Sequence, residues 1–227
     1  MKGLRFAAVA QEGGGENREL REWTGQSAAP VAIYENEPPL SDSVDILFLA
    51  ERLQPEPRLV PADIDARATM FGIAREIIGR DGIGWNRRIM MLAPMLERGD
   101  PPAAIRRLAE RYGCSPEAAH TAEEKVLRIL DFLARLLERQ RVRGSDYLVG
   151  DSVCAADIYW ACFANMLSPM PHEQCPMPEA VRTSYGDVSA AVRRALEPAL
   201  LAHREMMFSR HLALPMDFLP DQEPVRG

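Results

Sequence analysis

The sequence contains few cysteines, few aromatic residues and no long apolar run. Its four cysteines form no CxxC pair in 227 residues, which argues against a disulfide framework and favours a reducing, cytoplasmic compartment. No segment approaches the roughly 20 uninterrupted apolar residues that span a membrane. The net charge of −6 argues against a general nucleic-acid or anionic-membrane binder. Small molecules and other proteins are therefore the expected partners.

Prolines divide the chain into two parts. Pro55, Pro57 and Pro61 stand close together, and neither a helix nor a strand continues through such a segment. We therefore predict a first domain at 1–54, a linker at 55–62, a second domain at 63–215 and a tail at 216–227.

Strand and helix signals alternate in the first domain. Residues 4–10 are apolar, as in a buried strand, and the glycines at 13–15 end this run. Apolar residues recur at helical spacing up to residue 53, behind a helix start at Ser43. The predicted order is strand 4–10, helix 16–23, strand 30–34, a short edge strand near 38–40 and helix 43–53.

Only helical signals follow the linker, which predicts a helical bundle. The segment from Ala155 is apolar on all sides, so it is expected at the centre of the bundle. Predicted helices lie at 63–80, 85–97, 101–112, 116–141, 155–167 and 185–210, the last with a break near Pro198.

A proline and a serine mark a candidate ligand site in the first domain. Pro30 stands at a strand start, where a proline is tolerated and can adopt the cis form. Ser43 opens a helix whose first N–H groups have no partner within the helix and can bind an anion. An edge-strand proline and an ordinary helix cap explain the same residues without a ligand.

This order of elements, with its proline linker and helical second domain, resembles the soluble glutathione S-transferase family over nearly the whole chain. The resemblance implies an α/β thioredoxin-like N-terminal domain and an all-α helical-bundle C-terminal domain. It also implies glutathione as co-substrate, a small hydrophobic or electrophilic molecule as second partner, and a homodimer.

Four residues match the positions with which this family holds glutathione. Ala29 and Pro30 correspond to the residue that pairs with the cysteinyl part and to the cis-proline after it. Asp42 and Ser43 correspond to the Glu-Ser pair that holds the γ-glutamyl group, with Asp in place of Glu. A hydroxyl and free N–H groups at a helix start suit a carboxylate, and a neighbouring acid suits an amino group.

The first element of the family's N-terminal domain has no counterpart in this sequence. In the family, a strand and a helix precede the segment matched by residues 4–10, and the turn between them carries the Tyr, Ser or Cys that acts on the glutathione sulfur. The domain is therefore expected to be incomplete, and the catalytic residue is unknown. Loss of this strand would leave sheet edges unpaired, which favours a truncated reading frame over a functional deletion.

Two further motifs have both a functional and a structural interpretation. Trp85, Arg87 and Arg88 match the region that shapes the family's substrate pocket and suit an aromatic or acidic substrate, while a buried Trp with solvated arginines is the structural alternative. Cys154 and Asp157 match the family's N-capping box, in which Asp157 binds the N-cap N–H. Because Cys154 is a poorer acceptor than Ser or Thr, either this cap is weak or Ser152 contributes.

No metal site is expected. His172 and Cys175 stand three residues apart, but a closed zinc site takes about four ligands and no second pair is present.

Two functions fit the sequence. The first is a glutathione S-transferase-like protein that binds glutathione and transfers it to, or exchanges it with, an electrophilic small molecule. The alternative is a catalytically silent binding or assembly module on the same fold. The unassigned thiol-activating residue favours the alternative for the chain as given, so the sequence leaves enzymatic activity open.

Overall fold

The structure is a computed structural model that describes residues 1–9 and 11–216. Of the predicted tail at 216–227, only Met216 lies within the described residues. Its backbone N–H donates to the Gln174 carbonyl at 2.8 Å.

Ten α-helices form in the described part of the chain, and the long ones follow the predicted periodicity. They are α1 (Arg18–Thr24), α2 (Ser43–Leu53), α3 (Ile64–Ile78), α4 (Ile83–Glu97), α5 (Ala103–Tyr112), α6 (Pro116–Val142), α7 (Ala155–Phe163), α8 (Glu179–Gly186), α9 (Ala190–Ala195) and α10 (Pro198–Arg210).

Local signals set the ends of these helices. The Ser115 hydroxyl accepts from the Ala118 N–H at 3.1 Å, and Pro116 fills the first turn of α6, where its missing N–H costs nothing. Gly113 follows α5 with a φ of 61°, the left-handed conformation that favours glycine. Sequence-local chemistry thus fixes where the long helices begin and end.

The break predicted near Pro198 in the helix at 185–210 is confirmed, because α10 begins there, but the prediction missed a second break at 187–189. Residues 185–186 are the end of α8, and the rest of the segment forms α9 and α10. α9 has its own cap, because the Ser189 hydroxyl accepts from the Val192 N–H at 3.1 Å. Similarly, the helix predicted at 155–167 ends as α7 at Phe163 and continues as a 3₁₀ turn at Ala164–Met166.

The predicted strand at 4–10 is wrong for the residues that are described. Residues 1–9 have no regular structure, and Phe6 and Val9 are 85% and 64% exposed; Ala10 lies outside the described residues. A strand forms only beside a partner, and the β pairing in the described residues is one antiparallel bridge between Ala32 and Leu40. The predicted reversal between 30–34 and 38–40 therefore exists as this single pair, with N···O distances of 2.8 and 2.9 Å.

The core is centred on α7, as predicted. α7 packs between α3 and α10, and the Trp160 ring is completely buried, with its indole N–H donating to the Leu200 carbonyl at 3.1 Å. The apolar stripe of α6, with Val126, Leu130 and Leu133 fully buried, covers the other side of this core. Each fully buried aliphatic side chain contributes roughly 1.5–3 kcal/mol relative to exposure.

A buried carboxylate fixes the N-terminal end of α7. Asp157 Oδ2 accepts from the Cys154 N–H at 2.9 Å, which is the predicted capping contact, and Asp157 Oδ1 accepts from the Leu148 N–H at 2.8 Å. Oδ1 also lies 2.9 Å from Nε2 of His203 on α10, and both side chains are completely buried. The carboxylate thus ties α7 to the preceding loop and to α10.

The capping box predicted at Cys154 is present, with the Cys154 side chain accepting from the Asp157 backbone N–H, and the thiol has a second role as a donor. It lies 3.1 Å from Asp157 Oδ2 and donates to it. Burial, reinforced by the Asp157 charge, raises the pKa of the Cys154 thiol, so the proton needed for this bond is retained.

We expect the ionisation of Cys154 to destabilise the protein at high pH. In the unfolded chain the thiol ionises above about pH 8.5, whereas in the fold it stays protonated. Its contribution to stability is therefore complete below that pH and is lost as pH rises further. Cys154→Ser should reduce the slope of unfolding free energy against pH by about 1.4 kcal/mol per pH unit between roughly pH 9 and 11.

Urea unfolding at several pH values measures this slope. Cys114→Ser is the control, because Cys114 is only partly buried and its replacement should change the slope less. Identical slopes for the wild type and Cys154→Ser would contradict the assignment of the thiol as a buried donor.

Candidate functional site

The residues matched to glutathione binding lie between residues 29 and 43, just before and at the start of α2. Ala29 and Pro30 are exposed and joined by a cis peptide bond. The Ala32–Leu40 bridge holds the following residues in an extended hairpin. The Ala29 N–H and carbonyl make no backbone hydrogen bond to any described residue, so both are available to a ligand.

Asp42 and Ser43 have different roles at the start of α2. Asp42 is the N-cap, and its Oδ1 accepts from the Val44 N–H at 2.8 Å and, more weakly, from the Asp45 N–H at 3.4 Å. The N–H and hydroxyl of Ser43 form no hydrogen bond within the described residues, and neither does Asp42 Oδ2. Two donor groups and one carboxylate oxygen therefore remain open at this helix start.

The rest of α2 is anchored to the helical core. Leu47 is buried in the main apolar cluster, and the Phe48 ring contacts the Phe71 ring of α3 with centroids 5.9 Å apart. At the end of α2, Glu51 pairs with the buried ammonium of Lys2 at 2.7 Å and accepts from the Leu59 N–H at 3.0 Å. These contacts fix α2 at its C-terminal end, and the open groups of Asp42 and Ser43 lie at its N-terminal end.

Tyr159 on α7 packs against the main apolar cluster. Burial raises the pKa of the Tyr159 phenol, and the Asp42 carboxylate raises it further. An aromatic residue in an apolar helix usually belongs to the core, so Tyr159 is not a site candidate from the sequence alone. Tyr159 and Phe163 are four residues apart, a spacing that predicts a shared face on α7.

Trp85 and Arg88 belong to a line of cationic and aromatic side chains. Arg80 lies 5.7 Å from the Trp85 ring centroid, and Trp85 meets Tyr112 edge-on at 4.9 Å while donating its indole N–H to the Tyr112 carbonyl at 2.8 Å. Arg88 lies 5.2 Å from the Tyr112 centroid and 5.8 Å from that of Phe163. These five side chains, called here the aromatic ladder, join the end of α3, α4, α5 and α7.

Arg87 points away from the aromatic ladder and into the protein. Only 2% exposed, it donates from Nε to the Met166 carbonyl at 2.9 Å and from Nη2 to the Ser184 and Asp187 carbonyls at 2.6 and 2.8 Å. Burial lowers the pKa of Arg87, although the Asp187 charge opposes this effect. Its hydrogen bonds connect α4 to the 3₁₀ turn and to the end of α8, a structural role.

The residues considered for metal binding do not converge. His172 is exposed, whereas Cys175 is completely buried. Within residues 1–9 and 11–216, no group of three or more His, Cys, Asp or Glu side chains is arranged to hold a metal ion. The described helices also include none with the length and apolar character needed to cross a bilayer.

We expect Arg87→Met to destabilise the fold, because it leaves several buried carbonyl groups without donors. The loss of unfolding free energy should be roughly 2–4 kcal/mol, measured by urea denaturation. Arg111→Met, at an exposed site on α5, is the matched control and should stay within about 0.5 kcal/mol of the wild type. Equal stability of the Arg87 and Arg111 variants would show that the carbonyl contacts of Arg87 are unimportant.

Comparison with known proteins agrees with this architecture. Residues 103–210 match the family model for the glutathione S-transferase C-terminal domain. A search of proteins with curated function found no match.

Solved structures provide the fold comparison. A glutathione S-transferase from Methylobacterium radiotolerans, crystallised with glutathione sulfonate, aligns with a TM-score of 0.58 and 19% identity over 93% of this chain and 82% of that chain. One from Rhodospirillum rubrum aligns with a TM-score of 0.49 and 20% identity over 86% of this chain and 82% of that chain. Residues 103–210 thus match the glutathione S-transferase C-terminal domain, and the first alignment shows that the chain shares the fold of a glutathione S-transferase.

Proposed function

We propose that this protein binds glutathione at residues 29–43, at the start of α2, and transfers it to an electrophilic small molecule. The observation that carries the proposal is the start of α2, where Asp42 caps the helix with one oxygen and leaves the Ser43 N–H and hydroxyl open. This combination accepts a ligand that carries a carboxylate and an amino group close together. The γ-glutamyl end of glutathione is such a group.

The orientation of glutathione follows from the available groups. Its γ-glutamyl carboxylate accepts from the Ser43 N–H and hydroxyl, aided by the positive end of the α2 dipole. Its ammonium pairs with Asp42 Oδ2. Its cysteinyl part extends along the backbone of Ala29, whose N–H and carbonyl make no other backbone hydrogen bond to the described residues.

This arrangement corresponds to the ligand side of a thioredoxin-like domain. The exposed Ala29–Pro30 segment, the Ala32–Leu40 pair and the capped α2 occur in the order expected for the later part of such a domain. We propose this architecture for residues 1–54, together with cytoplasmic location and homodimer formation. These three proposals rest on the family resemblance.

The transfer step forms one carbon–sulfur bond. The glutathione thiolate attacks the electrophilic carbon, the leaving group departs with the electron pair of the bond that breaks, and the thiol proton passes to solvent. We assign no residue of this chain to activation of the thiol. A binding or assembly module without catalysis is therefore the second candidate, since the open groups at Ala29, Asp42 and Ser43 suffice for binding alone.

Ser43→Ala should weaken glutathione binding about tenfold, because the variant lacks a hydroxyl that donates to a charged carboxylate. Helix stability should change little, because Asp42 supplies the N-cap. Isothermal titration calorimetry of the whole chain measures the affinity. Ser41→Ala, two residues earlier and exposed, is the control and should bind glutathione as the wild type does.

Unchanged glutathione affinity in a folded Ser43→Ala protein would contradict the proposed site. Conjugation of a generic chloronitrobenzene separates the two candidates. Product formation supports the transferase, whereas tight glutathione binding without product supports the binding module.

A further inference from the structure

A second apolar cluster lies apart from the main core, and its buried side chains are rich in sulfur. Four of them, called here the sulfur cluster, are Met170, Cys175, Met177 and Met207. Each of the four is at most 4% exposed. Met206 and Met216 pack against this cluster as partly buried side chains.

Core filling alone accounts poorly for this concentration of sulfur. Methionine is a flexible filler of irregular cores, so a single buried methionine needs no further explanation. In the main apolar cluster, Met70 and Cys154 are the two sulfur-bearing side chains among the 25 buried residues described there. In the second cluster, sulfur-bearing side chains are four of the seven buried residues described. The chain therefore fills one core with hydrocarbon and the other mainly with thioethers and a thiol.

The sulfur cluster joins two separate segments of the chain. Met170, Cys175 and Met177 belong to the irregular segment between the 3₁₀ turn and α8, whereas Met207 belongs to α10. Because the fold packs these segments into one cluster, the grouping is more than a methionine-rich stretch of sequence.

Hydrogen bonds fix the backbone of the loop that carries three of these residues. Arg182 of α8 donates from Nη1 to the Met170 carbonyl at 2.7 Å and from Nη2 to the Cys175 carbonyl at 2.6 Å. Because one planar guanidinium binds both carbonyl groups, residues 170 and 175 are held close to each other. The Cys175 N–H donates to the Pro171 carbonyl at 2.9 Å and closes the turn between them. The loop side of the sulfur cluster is therefore positioned before any ligand arrives.

The chemistry of these donors selects a soft, singly charged metal ion. Thiolate and thioether sulfur atoms are ligands that Cu(I) prefers, whereas Mg²⁺ and Ca²⁺ prefer oxygen. A thiolate and Cu(I) together are neutral and can be buried among apolar groups. A divalent ion would instead bring an uncompensated positive charge into the cluster, beside the Arg182 guanidinium. Methionine, rather than the exposed His172, completes this set of ligands.

We propose that the sulfur cluster binds one Cu(I) ion, with Cys175 as the thiolate ligand and the thioethers of Met170, Met177 and Met207 as the other ligands. On binding, the Cys175 S–H bond breaks and its proton passes to solvent. A sulfur lone pair forms the bond to Cu(I), and no electron is transferred. The proposal is independent of glutathione, because none of these side chains belongs to the site at the start of α2.

The test is an anaerobic titration of the whole reduced chain with Cu(I), in competition with bathocuproine disulfonate, whose coloured complex reports the copper that the protein leaves unbound. The wild type should take up one equivalent. Met207→Leu should weaken the Cu(I) affinity by about tenfold or more, since even outer-shell partners of metal ligands contribute about 10–100-fold. Leucine keeps the core filled. Met70→Leu makes the same exchange at a completely buried site of the main cluster, and it should bind Cu(I) as the wild type does.

Substitution of two cysteines distinguishes the sulfur cluster from copper bound to another thiol. Cys175→Ser should abolish the uptake, whereas Cys114→Ser, at a partly buried thiol, should leave it unchanged. If Cys175→Ser does not fold, Met177→Leu replaces it and should weaken the affinity as Met207→Leu does. Three results would overturn the proposal: no uptake by the wild type at the lowest competitor concentration, equal affinities for the wild type and Met207→Leu, or uptake that depends on Cys114.

Discussion

The hydrogen bonds of the buried Asp157 carboxylate are the constraint on which the rest of the structure depends. This group accepts from two backbone N–H groups, a thiol and a histidine. Removing one of these donors leaves the buried carboxylate with an unsatisfied hydrogen bond, which is costly in the low dielectric of the core. The result is a fixed start for α7. That helix carries Trp160 into the core and packs Tyr159 and Phe163 against the same apolar cluster.

Two adjacent arginines on α4 have different environments. Arg87 crosses the interior and satisfies carbonyl groups at helix ends that would otherwise be unpaired. Arg88 is held by ring faces, which contact a guanidinium without using its N–H donors. The first arrangement connects α4 to the 3₁₀ turn and to the end of α8, and the second leaves the Arg88 guanidinium half-buried beside Tyr112 and Phe163.

The sequence predicted the features that depend on local chemistry. It failed where contacts between residues far apart in the sequence determine the structure. The helix predicted at 116–141 follows from the periodicity of its apolar residues, and it forms as α6. The same reasoning failed for the strand at 4–10, because an apolar segment becomes a strand only beside another one. The contact of Asp157 with Cys154 was predictable, whereas its bond to His203, 46 residues away, left no local signal. At the candidate site, the sequence indicated Asp42 and Ser43 but gave no means to separate Arg87 from Arg88.

The central claim is that glutathione binds at the start of α2, beside Ala29. Backbone amide chemical shifts of the ¹⁵N-labelled chain, followed during titration with millimolar glutathione, test it most directly. The account predicts that the amides of Ala29 and Ser43 shift together and saturate with one binding curve, while exposed amides of α6 such as that of Arg139 stay unchanged. Saturating shifts confined to other regions, or no shifts at Ala29 and Ser43, would contradict it.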